Sequence, residues 1–464
     1  MPPRHLTPDQ IALSEQRKAK RLRLLEQGLT TPTTDTNAGK ITERQWISLV
    51  DEQMLKRDAV QIVKIMTFNL LAQCLVRRSL FPTSNCLKAS QREPMIHREI
   101  LSQKADIICL QEVDRLQRLV PTLNAAGYAH HYAAGPRKNH GCLIAFNQNK
   151  FTKASHHLIH YDDEEIRVDG DGRARQGKTF CTKNIGSLIA LKHNTDNNAG
   201  IIIATTHLFW HPKLLFFSLI HVLTPISRQV GILFREVIKY RHRLQSEHWP
   251  CVIAGDFNFP PNDPAYSLLV GDLLSPEQRE SLESSRVVHV SVDPTVPRTI
   301  NSNPTPPEND ETEDAIDPDR VITNARAATI ADGLLSDTEF QALFSFPLRP
   351  RSVYDIGMRE GRNHSKDVIK NFGDRVSLLP GRLGWHEPEY TSYTHYWKTV
   401  LDYIFVIDPI GFQGHVTGIL SPHRTEDLTP GLPQLGVCGS DHISLAAELC
   451  WQPTSLECLM TLDY

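Results

Sequence analysis

The stretch Val252-Ile253-Ala254-Gly255-Asp256-Phe257-Asn258 decides the fold, because in it an apolar run ends at a glycine and two polar side chains follow. The apolar residues predict a buried strand. Asp256 and Asn258 are two positions apart, so both project to the same side of the exit turn. Gly-Asp and Asn-Phe are also ordinary turn sequences, which leaves a structural and a functional interpretation equally open for this stretch alone.

The same pattern recurs along the chain. Residues 63–69, 105–112 and 200–207 are apolar runs that stop at Asn69, Glu112 and His207. Continuous apolar strands predict sheets that are covered on both faces. Residues 141–147 and 400–406 predict two more strands, the second carrying Asp402, and Asp441-His442 introduces the last apolar segment. We expect helices at residues 94–102 and 227–247.

Composition narrows the class of protein. The chain has 464 residues, 40% hydrophobic and 22% charged, with a net charge of -3, which excludes a general nucleic-acid coat protein. It has nine cysteines and no C-x-x-C pair. We therefore expect reduced thiols and an intracellular protein, in the cytoplasm, the nucleus or both. There is no apolar region at the N-terminus and no run long enough to cross a bilayer, so we expect no membrane span.

The domain plan has one large unit with appendages. Residues 1–45 predict a basic extension, a helix followed by a linker, that is either a nuclear import signal, an RNA-binding arm or a solvated helix face. Residues 60–455 predict the catalytic domain. Within it, residues 291–325 form an acidic, proline-rich insertion for which we expect disorder. Residues 214–226 are unusually apolar and predict a buried or interfacial insertion.

The polar residues at the strand ends share one chemistry. Taken singly, a histidine or a glutamate after a strand is usually structural. Together these side chains supply oxygen ligands for a hard cation and donors for a phosphate group. They are Asn69, Glu112, His207, Asp256, Asn258, Asp402, Asp441 and His442.

With these motifs in order, the chain resembles the endonuclease/exonuclease/phosphatase superfamily, which has the DNase I-like fold. The matching motifs span roughly residues 60 to 450 and are Thr-Phe-Asn-Leu at 67–70, Leu-Gln-Glu-Val at 110–113, Thr-His-Leu-Phe-Trp-His-Pro at 206–212, Gly-Asp-Phe-Asn at 255–258, Leu-Asp-Tyr-Ile at 401–404 and Ser-Asp-His at 440–442. Within the superfamily the chain is similar to the deadenylase, nocturnin and Angel branch, and most of all to the Ngl-type RNA exonucleases. The features that indicate this branch are Leu-Leu-Ala-Gln at 70–73, Asn-Asp-Pro-Ala-Tyr at 262–266 and Tyr-Thr-His-Tyr-Trp-Lys at 393–398.

The resemblance implies an α/β fold, a four-layer αββα sandwich of two mainly antiparallel mixed sheets with the site at the strand ends. It also implies a metal-dependent phosphodiesterase. Glu112 with Asn69 beside it would bind Mg²⁺, with Mn²⁺ as the alternative ion, and Asp441 would hold a second metal. Oxygen ligands of this kind fit Mg²⁺ better than zinc.

The resemblance assigns the remaining roles as follows. Asp256 would position and deprotonate the attacking water, and Asn258 and His207 would hold the scissile phosphate. His442, oriented by Asp402, would stabilise the charge that gathers on that phosphate. Substrate-binding roles fall to Pro212 and Trp397, which would stack on a base.

Three functions stay open at this stage. The first is a Mg²⁺-dependent 3′-5′ exoribonuclease that works as a monomer, with RNA as its partner and an unidentified recruiting protein. The second is a phosphatase of the same fold that acts on an inositol phosphate, a lipid or a nucleotide. The third is an inactive binding module, which is disfavoured because no catalytic position is replaced. Stacking on Trp397 is the argument that favours the nuclease over the phosphatase.

Overall fold

The structure, a computed structural model, describes residues 39–50, 62–209, 223–297, 325–364, 369–379 and 381–453. In chain order its strands are β1 Trp46–Ser48, β2 Ile62–Asn69, β3 Ile107–Val113, β4 Tyr128–Ala133, β5 Gly141–Asn147, β6 Phe151–His160, β7 Ile185–His193, β8 Asp196–His207, β9 Cys251–Asp256, β10 Val287–His289, β11 Ala325–Ala327, β12 Arg351–Ser352, β13 Ser392–Tyr393, β14 Lys398–Thr399, β15 Asp402–Ile407, β16 Phe412–Leu420 and β17 Leu445–Pro453.

The helices complete the described architecture. In chain order they are α1 Ala89–Ser102, α2 Leu116–Ala125, α3 Gly172–Gln176, α4 Leu223–Arg243, α5 Pro264–Val270, α6 Pro276–Ser284, α7 Asp337–Leu343, α8 Val353–His364, α9 Phe372–Arg375 and α10 Thr425–Leu428. Short 3₁₀ turns lie at Gln73–Leu75 and Ile330–Asp332.

Two mixed sheets form the centre of the fold. The first has the strand order β1-β16-β17-β2-β3-β5-β4, and the second has the order β12-β15-β9-β8-β7-β6. In the first sheet β2 and β3 are parallel, in the second β8 and β9 are parallel, and the other pairs are antiparallel. β10 with β11 and β13 with β14 form two small ribbons. The prediction of two mainly antiparallel mixed sheets is confirmed.

Alternation along the strands produces the layers. In β3, Ile107 and Cys109 are buried in the core between the two sheets, where residues of both sheets pack together. Their neighbours Ile108 and Leu110 point to the opposite face and pack with Ile96 of α1. Successive side chains of a strand alternate between faces, so a strand that is apolar throughout must be covered on both.

Helix α4 covers the outer face of the second sheet. Its residues Val230, Leu233 and Val237 are fully buried, and they share a hydrophobic cluster with Ile253 and Phe405 of the sheet. The spacing of three to four residues places them on one face of the helix. With α1 and α2 on the first sheet, the predicted four-layer αββα sandwich is confirmed.

The fold begins before residue 60, where the sequence predicted the start of the catalytic domain. Strand β1 pairs with β16 at the edge of the first sheet. Just before it, the buried Arg44 is ion-paired with Glu99 and donates to the backbone oxygen of Ser444 at 2.8 Å. Residues 1–38, which include the basic stretch of the extension, lie outside the described residues.

The two predicted insertions are described in part. Residues 223–226 form the first turn of α4, where Thr224 and Ile226 are buried, so the end of the apolar segment is core; residues 210–222 lie outside the described residues. Asp293 is ion-paired with Arg326 at 2.6 Å across the two ends of the acidic insertion. Residues 298–324 lie outside the described residues, and the predicted disorder is untested. Within the described part of the chain no helix has the length and apolarity to span a bilayer.

Candidate active site

Strand register brings the predicted residues of the second sheet together. In the parallel pair β8 and β9, His207 is the partner of Asp256, and in the antiparallel pair β9 and β15, Asp402 is the partner of the same residue. In the first sheet Asn69 pairs with Gln111, which precedes Glu112. The ends of five strands therefore meet at one edge of the sandwich.

Glycine at position 255 permits the close approach of β8 and β9. A Cβ atom there would lie 2.4 Å from the backbone oxygen of Thr206, closer than any real contact. Glycine lacks this atom, so the two strands can pass side by side directly before Asp256. The Gly-Asp of the central motif thus has a packing reason as well as a chemical one.

Two candidate residues adopt a backbone conformation that non-glycine residues rarely take. Glu112 and Asn258 both have φ of 55°. At Glu112 the pairing of β3 with β5 shifts between Leu110 and Val113, which is the signature of a β-bulge. Such strain is a frequent feature of functional sites.

Asn69 joins the two sheets at the site. Its Nδ2 donates to Oδ2 of Asp256 at 2.8 Å and to Oε1 of Glu112 at 3.2 Å. Its Oδ1 accepts the backbone N–H of Leu71 at 3.0 Å, and that donor fixes the orientation of the amide. The amide oxygen is therefore turned away from the carboxylates, and in this arrangement Asn69 spaces the two acids instead of offering a metal ligand.

His442 and Asp402 form a buried pair. Nδ1 of His442 lies 2.8 Å from Oδ2 of Asp402, and its Nε2 lies 3.6 Å from Oδ2 of Asp256. Burial alone would lower the pKa of His442, but Asp402, Asp256 and Asp441 outweigh it and hold the pKa well above its usual value. The surrounding acids therefore favour the protonated imidazole, in which one N–H is directed at Asp402 and the other is turned toward Asp256. Thr391 Oγ1 accepts the backbone N–H of Asp402 at 3.0 Å.

His207 lies on the other side of Asp256. Its Nδ1 is 3.9 Å from Oε1 of Glu112 and its Nε2 is 3.6 Å from Oδ2 of Asp256, both too long for hydrogen bonds. Its backbone oxygen accepts from Nδ2 of Asn184 at 2.7 Å. Burial lowers its pKa to about 3, and the nearby Glu112 opposes that shift. An imidazole carries at least one N–H, which can donate to an external acceptor.

The carboxylates of the site are not equivalent. Burial raises the pKa of Asp256, helped by Asp402 and Glu112 and opposed by His442. Burial also raises the pKa of Asp441, to about 6. Burial would raise the pKa of Glu112 as well, but His207, His140 and the Ala72 amide outweigh it and the pKa is lowered. Several acids are thus confined in one small volume, an arrangement that a bound cation would relieve.

The donor set fits a divalent cation. Ligand atoms of Asp256, Asp402 and His442 lie within 4.8 Å of one another. Asp402 is already hydrogen-bonded to His442, and the most accessible carboxylate of the site is Glu112, whose side chain is 11% exposed while that of Asp256 is 1% exposed. Carboxylate oxygens of this kind suit a hard ion.

Asn258 and Asp441 lie at the margin of the cluster. The backbone N–H of Asn258 donates to Oδ1 of Asp256 at 3.0 Å, and its Nδ2 donates to the backbone oxygen of Leu208 at 2.9 Å. One amide hydrogen of Asn258 remains for a ligand. The carboxylate of Asp441 lies 3.4 Å from Oγ of Ser440. Both residues lie beside the other candidate residues, and the roles assigned to them stay predictions.

The substrate-binding prediction needs correction at Trp397. This side chain is only 9% exposed, packs edge to face on Phe81 with ring centroids 5.9 Å apart, and donates from Nε1 to Oγ of Ser392 at 3.0 Å. Trp397 therefore belongs to a small hydrophobic core with Leu71 and does not present an open face to a base. Pro212 lies outside the described residues.

Sequence reasoning missed two residues that support the site. Gln111 is fully buried and donates from Nε2 to Thr205 at 3.0 Å, which links the two sheets beneath the acids. Ser440 donates from Oγ to the backbone oxygen of Asn69 at 2.7 Å. Both stand inside motifs that had been singled out, directly before Glu112 and Asp441. Their position next to a predicted residue is the signal that could have found them.

Chemically, the site combines a buried acid with two imidazoles. Asp256 is 1% exposed and lies between His207 and His442. In its ionised form Asp256 can accept a proton from water, and an imidazolium at His442 can stabilise negative charge that develops nearby.

Comparison with known proteins gives three findings. The profile of the Endonuclease/Exonuclease/phosphatase family matches residues 66–442. A Schizosaccharomyces pombe protein named "Probable RNA exonuclease" is 29% identical over 423 residues, covering 88% of this chain and 78% of that protein. RNA exonuclease NGL2 of Saccharomyces cerevisiae is 26% identical over 488 residues, covering 96% of this chain and 88% of that protein. The crystal structure of ANGEL2, described as a 2′,3′-cyclic phosphatase, superposes with a TM-score of 0.57 at 21% identity, covering 88% of this chain and 98% of that one.

Proposed function

Because this chain belongs to the endonuclease/exonuclease/phosphatase family, we propose that it is a Mg²⁺-dependent 3′-5′ exoribonuclease. The names of its relatives support RNA as the substrate, since one is named a probable RNA exonuclease and another an RNA exonuclease. The predicted branch, with its Ngl-type RNA exonucleases, is confirmed by the same relatives. The 3′-5′ direction of cleavage and the requirement for Mg²⁺ go beyond the names of these relatives and belong to the proposal alone.

One observation carries the proposal. Asp256 stands at the meeting point of two sheets, within 3.6 Å of both His207 and His442 and hydrogen-bonded to Asn69. The two histidines come from distant segments, His207 from the end of β8 and His442 from the loop before β17. This arrangement is what hydrolysis of a phosphodiester requires, namely an activated water and stabilisation of added negative charge.

The residues divide the reaction between them. Asp256 orients the attacking water and accepts its proton, because it is the acid that faces both histidines. His207 and Asn258 donate hydrogen bonds to oxygens of the scissile phosphate. His442, held by Asp402, stabilises the charge that gathers on that phosphate as the bond to the leaving oxygen breaks.

A divalent cation fits beside Glu112. Glu112 would be its principal protein ligand, and Mg²⁺, or Mn²⁺ in its place, would supply Lewis-acid neutralisation of the phosphate charge. Glu112 is prepared for this role because Asn69 and the Ala72 amide hold its two oxygens in fixed positions.

A phosphatase of the same fold is the second candidate. Burial of Trp397 removes the base-stacking argument that had favoured the nuclease. The substrate would then be an inositol phosphate, a lipid or a nucleotide, and the same residues would cleave a terminal phosphate ester. Such a reaction needs the charge stabilisation of His442 but no base-binding surface.

One experiment separates the candidates. Purified protein with Mg²⁺ is incubated with 5′-labelled RNA and DNA, with RNA that ends in a 2′,3′-cyclic phosphate, and with a phosphorylated inositol. A ladder that shortens from the 3′ end of RNA supports the proposal. Release of phosphate without shortening supports the phosphatase, and cuts at internal positions would contradict exonuclease action.

We also propose that the enzyme acts as a monomer inside the cell. Buried thiols support the second part of this statement. Among the described residues Cys109, Cys142 and Cys251 are buried and form no disulfide, which suits a reducing compartment. Size-exclusion chromatography with light scattering tests the first part, and imaging of a tagged protein tests the second.

A further inference from the structure

Arg92, on α1, is a buried cation directly behind the site. Its side chain is 2% exposed, and its guanidinium satisfies four acceptors from two separate loops. These are the backbone oxygens of Leu70 and Leu71, both at 2.6 Å, the backbone oxygen of Gly439 at 2.6 Å, and Oε1 of Gln73 at 3.0 Å. A buried arginine that spends its donors on backbone carbonyls fixes the course of those loops.

The first loop is the one that orients two candidate residues. The peptide group whose oxygen is Leu71 O carries the N–H of Ala72, which donates to Oε2 of Glu112 at 2.8 Å. The preceding peptide group, whose oxygen is Leu70 O, carries the N–H of Leu71, which donates to Oδ1 of Asn69. A peptide group is planar, so holding its oxygen fixes the direction of its N–H. Arg92 therefore binds the carbonyl oxygens of two peptide groups whose N–H groups donate to Glu112 and Asn69.

The backbone conformation at Leu71 requires the hydrogen bonds from Arg92. Leu71 has φ of 54°, a conformation that leucine adopts only at a cost in energy. Without an external anchor the turn would relax toward an ordinary backbone geometry and rotate the Ala72 N–H away from Glu112. The guanidinium supplies that anchor, and its charge strengthens the two N–H donors through polarisation of the peptide groups.

The second loop carries the other half of the site. The Gly439 oxygen that accepts from Nε of Arg92 immediately precedes Ser440, whose Oγ donates to the backbone oxygen of Asn69. Ser440 also accepts the N–H of His442 at 3.2 Å. One side chain thus connects the loop of residues 70–73, which holds Glu112, with the loop of His442.

We propose that Arg92 is a positioning residue that holds the Glu112 carboxylate in the geometry needed for metal binding and keeps it in register with the loop of His442. The proposal rests on the proposed function for the identity of the reaction. The hydrogen bonds of the guanidinium go to three backbone oxygens and to Oε1 of Gln73, so it acts on Glu112 through the two loops.

A matched control is present in the same chain. Arg228, on α4, is 3% exposed and donates to three backbone oxygens at 2.7–2.8 Å. Those oxygens belong to Tyr161, Glu164 and Gln176, and no described hydrogen bond joins these residues to Glu112 or to its loop. Arg228→Lys therefore removes the same kind of carbonyl clamp from the fold without disturbing Glu112.

The test compares Arg92→Lys with Arg228→Lys in the full-length chain. Binding of Mn²⁺ is measured by titration calorimetry, and kcat and KM for RNA are measured with Mg²⁺, all below the melting temperature of each variant. Loss of a residue that orients a ligand typically weakens metal affinity or activity by about 10- to 100-fold. We expect such a loss for Arg92→Lys, in Mn²⁺ affinity and in kcat with KM nearly unchanged, and neither loss for Arg228→Lys.

The outcomes distinguish the proposals. If the two lysine variants bind Mn²⁺ equally well and turn over equally fast, Arg92 is only a structural clamp and the inference is overturned. If the wild-type protein binds Mn²⁺ but does not shorten RNA, the proposed function fails while the calorimetry still decides the role of Arg92. Should Arg92→Lys not fold, Gln73→Leu removes one acceptor of the guanidinium. A smaller loss of Mn²⁺ affinity supports the inference, and an unchanged affinity rejects it.

Discussion

The contact between His442 and Asp402 gives the sharpest prediction about the reaction. Replacing Asp402 by asparagine keeps an oxygen that can accept the Nδ1–H of His442, so the ring keeps its orientation, but it removes the negative charge. Both side chains are buried, and the two atoms are 2.8 Å apart, so little solvent screening reduces the effect. The substitution therefore tests the charge of Asp402, which acts through His442, separately from the packing of the side chain.

The magnitude follows from the kind of hydrogen bond. A bond to a charged group contributes about 1.5–3 kcal/mol, and about 1.4 kcal/mol corresponds to a tenfold change in rate. If the imidazolium stabilises charge only in the transition state, that energy is lost from the barrier. We expect kcat for RNA with Mg²⁺ to fall about 10- to 150-fold in Asp402→Asn, with KM little changed.

Two further variants complete this experiment. Asp402→Ala removes both charge and acceptor and should be slower than Asp402→Asn. Asp355→Asn is the control, because Asp355 is also a buried acid, 5% exposed, whose Oδ1 accepts the N–H of His386 away from the candidate residues. Circular dichroism confirms that each variant is folded at the assay temperature. Wild-type kcat in Asp402→Asn, with a slow Asp402→Ala, would show that Asp402 only orients the ring and would refute the argument from charge.

Three other predictions follow from individual side chains. Glu112→Gln and Asp256→Asn should each lower turnover by about a hundredfold or more while the fold is retained, and near-normal rates in both would show that the site is assigned to the wrong residues. Burial raises the pKa of Glu387 from 4.5 to about 8. Between these pH values the carboxyl group is protonated in the folded protein and ionised in the unfolded chain, so the contribution of Glu387 to stability falls as pH rises. Glu387→Gln should therefore raise the melting temperature relative to wild type more at pH 8 than at pH 5, and an equal shift at both would contradict the raised pKa. Trp397→Ala should lower the free energy of unfolding by about 3–5 kcal/mol in urea denaturation, because Trp397 is core, and a negligible loss would restore it as a surface for bases.

Several elements could not be read from the sequence. Strand β6 was not predicted, because it is an edge strand whose residues 152–154 and 156 are exposed, and it has no continuous apolar run. The domain predicted from the sequence left out strand β1. Its three residues are stabilised by pairing with β16, more than 360 positions later, and no local pattern reports that pairing. Both strands lie at the edge of a sheet. An edge strand that is half covered carries a weak local pattern.

Trp397 shows the same limit within the site. Its position five residues before Asp402 suggested a surface above the phosphate, but its exposure depends on Phe81 and Leu71, which come from another part of the chain. The role of Arg92 was equally hidden. Its four acceptors lie in two loops, three of them backbone oxygens, and no side-chain pattern reports which backbone groups a helix will meet.

The sequence by itself determined the two-sided sheets, the chemistry at the strand ends and the family. These properties are local, since an apolar run that stops at an acid or a histidine is written in consecutive residues. Only the tertiary structure decided which acids touch, that Asn69 turns its nitrogen to Glu112 and Asp256, and that three acids surround His442 and raise its pKa. Those facts depend on distances of a few ångströms between strands of two different sheets. They are set by how the whole sandwich packs, because hydrogen bonds and buried charges respond to neighbours in space and not to neighbours in sequence.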